Sequence, residues 1–104
     1  MKFILLSRHT GGREIPESEK DQNLKDMMMW MGLLKAEVAM PIRGGKSVTA
    51  QTVEDYKGDA GGIIIFQADN LDQAIALAKQ SPGLKYGFTH EVFPEISMDD
   101  ASKK

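Results

Sequence analysis

Residues 61 to 84, GGIIIFQADNLDQAIALAKQSPGL, leave this chain few choices of local structure. Ile63 to Phe66 is a continuous apolar run, β-branched for three residues and opened by two glycines, which suits a strand covered on both faces. Asn70 stands where a helix N-cap belongs. Gln73 lies three residues on, able to bond back, and Leu71, Ile75, Leu77 and Ala78 repeat with helical period. Pro82 disfavours the α conformation at Ser81, so the helix ends there, and Gly83 is expected to let the chain turn away.

The rest of the chain can be read around this unit. Lys2 to His9 predicts a first strand, with Phe3 to Leu6 apolar before Ser7, Arg8 and His9 turn polar, and Thr10 to Pro16 predicts a loop. A helix is expected from about Glu17 to about Lys35, its face formed by Leu24, Met27, Met28, Met31 and Leu34, with Trp30 beside that face. Glu37 to Ile42 and Lys46 to Thr52 look like two strands joined by a hairpin turn at Arg43, Gly44 and Gly45, and Pro41 puts the first at a sheet edge. Val53 to Ala60 reads as polar loop, and Phe88 to Pro94 as the last strand. The domain is expected to span residues 1 to 96, followed by a disordered polar tail over 97 to 104. The order βαββαβ specifies an α+β, ferredoxin-like fold with an antiparallel sheet.

Two helices cover one face of such a sheet, yet the first strand and the Ile63 strand are apolar on both. Burying a few of these side chains contributes roughly 1.5 to 3 kcal/mol each before ordering costs, so a homodimer packed sheet to sheet is expected. With 13 basic and 15 acidic residues the net charge is −2, which supplies no electrostatic footprint for nucleic acid or an anionic membrane. The absence of cysteine removes disulfides and thiol chemistry. The apolar stretch after Met1 is too short for a membrane span or a signal peptide, so a cytoplasmic protein is the expectation.

Taken together, GGIIIFQADNLDQAIALAKQSPGL, the following YGFTHEVFP and the early MMMWMGLLKAEVAMP resemble the YCII-related superfamily, which includes the DGPF-domain proteins. The resemblance implies a dimeric α+β barrel. The Asp-Gly-Pro-Phe signature is missing, since the corresponding region reads QTVEDYKGDAGG. Some relatives carry a histidine near the start of the first helix and an acid at the end of the first strand; this chain has Asn23 and His9 at those positions.

Antiparallel pairing of the outer strands brings Ser7, Arg8 and His9 toward Phe88, Thr89 and His90. His9 and His90 are therefore the candidate acid and base around a small ligand, weighed against a solvated His9 and a merely tolerated His90. Arg8, Ser7, Asn23 and Trp30 are the candidate ligand-binding residues, although Arg8 is equally placed to pair with Glu91 and Trp30 to fill the core. No metal or other cofactor is expected: two histidines lack a third ligand, and consecutive methionines from Met27 to Met29 point around a helix instead of converging. Gly44, Gly45 and Lys46 lack the spacing of a phosphate loop. Glu54, Asp55 and Asp59 offer lid material or a solvated loop. Two functional readings stay open. One is binding of a small aromatic or carboxylated molecule in a cleft on the sheet face at the subunit boundary, with lyase- or hydrolase-like chemistry. The other is a non-catalytic regulatory or interaction module.

Overall fold

The computed structural model describes residues 1–10 and 14–102, so Gly11, Gly12 and Arg13 of the first loop and Lys103 and Lys104 of the tail lie outside the described residues. In chain order the elements are β1 (Lys2–His9), a 3-10 turn (Glu17–Glu19) leading into α1 (Lys20–Leu34), β2 (Val38–Pro41), β3 (Lys46–Val48), β4 (Val53–Asp55), β5 (Ala60–Gln67), α2 (Leu71–Ala78), a 3-10 turn (Pro82–Tyr86), β6 (Phe88–Pro94) and the single-turn α3 (Met98–Ala101). Four strands form an antiparallel sheet in the order β2-β5-β1-β6. With α1 and α2 as crossovers this is the split βαβ arrangement of a ferredoxin-like α+β fold.

The alternation of β1 sorts its residues between two environments. Phe3 and Leu5 are fully buried beneath the helices, whereas Ile4 is exposed on the other face. Across the β1–β5 ladder Phe3 opposes Phe66 and Leu5 opposes Ile64. These residues, with Trp30 and Leu34 of α1 and Ala74 and Ala78 of α2, make the core. Full burial of Phe3, Phe66, Leu5 and Leu34 contributes about 1.5 to 3 kcal/mol each.

Several sequence expectations change in detail. Trp30 is central to the buried side of α1, while Leu24 and Met28 are largely exposed, because the helix turns its Met27–Trp30–Met31–Leu34 stripe to the sheet. In α2 the small side chains Ala74 and Ala78 are buried, and Leu71 and Ile75 stand outside. The cap forms: Asn70 Oδ1 accepts from the Gln73 N–H at 2.8 Å, and Gln73 Oε1 accepts from the Asp69 N–H, one residue before the cap position. Gly83 does not turn the chain away. It lies buried within the 3-10 turn, and the reversal occurs at Gly87, whose φ of 88° is left-handed.

The hairpin between β2 and β3 is absent. β2 pairs with β5 at the sheet edge, where Val38 and Met40 oppose Ile65 and Ile63, and Pro41 falls on that edge strand as expected. Gly44 (φ 75°) directs the chain outward instead, and β3 pairs with β4 in a separate two-stranded arm. Every residue of both arm strands is exposed, and their single apolar pair, Val48 and Val53, brings too little apolar surface to join the main sheet. Lys46 pairs with Asp55 across the arm, and Thr49 Oγ1 accepts the N–H groups of Gln51 and Thr52 to form its tight end. In the tail, Ser97 caps α3 by accepting from the Asp100 N–H, and α3 buries no residue. Among the described residues no helix is long and apolar enough to cross a membrane.

Candidate functional site

The helix-covered face of the sheet runs from large to small. Behind the Phe3/Phe66 row and the Leu5/Ile64/Val92 row comes a third, in which Ser7 opposes Gly62 on one side and His90 on the other. Ser7 and Gly62 do not fill the space that phenylalanine and isoleucine fill beside them. A cavity of about 410 Å³ results, floored by Ser7, Gly62 and Ala39, roofed by Met27, Met28 and Met31 of α1, and walled by Phe88 and His90. Its lining is mostly apolar, with Ser7 and His90 as polar side chains, a composition usual for small-molecule sites.

His90 is held by two side chains. The Trp30 indole stacks on its ring with centroids 5.6 Å apart and planes 9° from parallel. Trp30 is fixed in turn by donating its Nε1–H to the Leu77 carbonyl at 2.9 Å. At the ring edge His90 Nε2 lies 2.7 Å from Ser81 Oγ, and Ser81 is itself buried. His90 Nδ1 is buried and makes no hydrogen bond among the described residues. Burial lowers the His90 pKa, with a weaker opposing effect from the Thr89 backbone, so the imidazole is neutral near pH 7.

The remaining sequence candidates divide between the two faces. Trp30 and Ser7 join His90 at the cavity. Asn23 lies one turn before Met27 on α1, and its Oδ1 is a second buried polar atom without a hydrogen-bond partner among the described residues. His9 shares the face of His90 but sits one row further out, exposed, with its ring 4.7 Å from that of Phe88. It borders a separate depression with Glu14, Ile15 and Lys20, so the two histidines do not converge on one cavity. Arg8 points to the opposite face, bonded to Glu91 and, at 2.8 Å, to Asp59. Those partners, Glu91 foremost, raise its pKa and occupy it in holding the base of the arm to the sheet. Ser81 was not among the residues the sequence singled out; a serine before Pro-Gly reads as a helix stop, and nothing local shows that it reaches a histidine nine positions on. The cavity lies between α1 and the sheet within one copy of the chain.

Fold and cavity together define a small α+β domain with a built apolar site. The chain belongs to the YCII family: a model of the YCII-related domain matches residues 1–94. Among solved structures it is similar to 5-chloro-2-hydroxyhydroquinone dehydrochlorinase from Burkholderia phenoliruptrix AC1100, in complex with 2,5-dihydroxybenzoquinone. That likeness has a TM-score of 0.57 at 20% sequence identity and covers 96% of this chain and 98% of the other, which establishes a shared fold. No curated protein matches the sequence.

Proposed function

We propose that this protein binds a small aromatic or carboxylated molecule in the cavity beneath α1 and that His90 engages the polar group of that molecule. The observation that carries the reading is the combination at His90: a neutral imidazole, oriented by Trp30 and Ser81, at the wall of an otherwise apolar cavity. A small flat ligand suits a space of this size, with its ring against methionine and tryptophan side chains that adapt to aromatic surfaces. Its oxygen would meet His90, where a neutral histidine can donate a hydrogen bond to a charge that develops on that oxygen, or exchange a proton with it. Lyase- or hydrolase-like chemistry follows from that role, and the dehydrochlorinase with its bound quinone offers a relative in fold for the lyase form.

The open face favours a homodimer. Ile4 stands in one row with Ile65, Phe93 and Val38, and Leu6 in the next with Ile63 and Met40. A contiguous apolar surface of this kind on a strand-built face is the usual mark of an interface.

Thermal-shift measurements with 2,5-dihydroxybenzoquinone and with benzoate test the ligand reading. A probe at 100 times its dissociation constant stabilises the fold by about 2.7 kcal/mol, an upward shift on the order of 10 °C for a domain of this size. Unshifted melting with both probes, together with unmoved His90 ring resonances, would overturn it.

A further inference from the structure

The hydrogen-bond inventory around Ser81 carries more than a structural contact. A serine hydroxyl has one proton to donate and two lone pairs. One lone pair of Ser81 Oγ is taken by the Gly83 N–H at 3.2 Å. His90 Nε2, at 2.7 Å, is the partner on the other side. Two arrangements fit that distance. If the ring proton is on Nε2 and is donated to Ser81 Oγ, the Ser81 proton is left buried without an acceptor, and Nδ1 is left as an unmet acceptor. If Ser81 donates to Nε2, the ring proton is on Nδ1, and only that N–H lacks a partner. The second arrangement leaves one buried group unmet instead of two, and buried groups without partners are costly.

We infer that Ser81 is a positioning residue that fixes His90 as its Nδ1–H tautomer, so that the ring proton sits on the buried nitrogen away from the serine. Ser81 acts through the ring, since His90 borders the cavity and Ser81 does not. The stacking on Trp30 fixes the plane of the imidazole. This rests on the reading of His90 as the ligand-handling residue, but its test needs no ligand, so the two can fail separately.

The experiment is a long-range nitrogen–proton correlation spectrum of the full-length, nitrogen-15-labelled protein at a pH where His90 is neutral. The expected result is a pyrrole-like Nδ1 and a pyridine-like Nε2 for His90. Ser81→Ala then lowers the Nδ1–H to Nε2–H ratio by about five-fold or more, as expected for loss of one net hydrogen bond, because free imidazole side chains favour Nε2–H. A wild-type spectrum with the proton on Nε2 overturns the inference, and so does an unchanged tautomer in a folded Ser81→Ala protein. The wild-type spectrum decides the assignment even if the variant does not fold.

Discussion

Protonating His90 works against the folded state, because its half-buried ring has its pKa lowered by burial. The unfolded chain takes up the proton first, near pH 6.5, and the folded protein only at lower pH. Between those values the unfolded state binds more protons, so stability rises with pH. The contribution is complete above about pH 6.5 and is lost as pH falls toward the folded value, with a slope of at most about 1.4 kcal/mol per pH unit for one proton. Denaturant titrations between pH 5 and 7.5 should show this slope, and His90→Gln should flatten it; an equal slope in the variant would assign it to another group. At this scale the sequence was informative where chemistry follows from residue type and strand register. Antiparallel pairing brought Ser7, Arg8 and His9 toward Phe88, Thr89 and His90, and the structure pairs Ser7 with His90. It was uninformative where a side chain crosses between elements, as with Ser81, which reads as punctuation and is buried against the imidazole.

Elements show how much backbone alone can decide. The cavity exists because β5 carries Gly62 in the third row, and a Cβ built there meets the Met40 carbonyl at 3.5 Å and Ser7 Cβ at 3.8 Å, ordinary contact distances. Gly62→Val is therefore expected to narrow the cavity and weaken ligand binding while making the strand more stable by about 0.5 to 1 kcal/mol, since glycine is unfavourable inside a strand. Melting curves with and without benzoate measure both effects at once; a destabilised variant, or one that binds no less tightly, contradicts this account of the cavity. Helix α1 ends at Lys35, which adopts a left-handed conformation at φ 53° and ψ 48°. Lys35→Gly should remove that conformational penalty and stabilise the protein by about 0.5 to 1 kcal/mol, after allowance for the extra freedom of glycine in the unfolded chain. Equilibrium unfolding measures it, and a destabilised variant would show that the lysine side chain matters more than its backbone. The strands β1, β5 and β6 were legible because their apolar runs outweigh local ambiguity. The false hairpin had turn residues of the right kind, but the partners of a strand are chosen by the apolar surface it can share, and Val38 and Met40 share more with Ile65 and Ile63 than with Lys46 and Ser47.

For the whole molecule, the relevant asymmetry is between a sheet face closed by two helices and a face that is apolar and open. Phe93 is 49% exposed there and Ile4 39%. If two copies meet through this face, Phe93→Glu should convert the dimer to a monomer, because a carboxylate placed between two apolar sheets has no partner. Sedimentation equilibrium at micromolar concentration gives the answer, and a monomeric wild type would refute the homodimer at once. Two-facedness of β1 and β5 was readable from the order of their residues; which face carries the cavity was not, because that depends on the size gradient across three strands distant in sequence. The arm formed by β3 and β4 adds a kinetic division. A two-stranded ribbon with no covering layer is marginal by itself, whereas β1 and β5 are laced into the core. Amide protons of residues 46–55 are thus expected to exchange with solvent through opening of the ribbon alone, while those at the centre of β1 and β5 wait for the entire domain to unfold, so that one chain keeps two clocks.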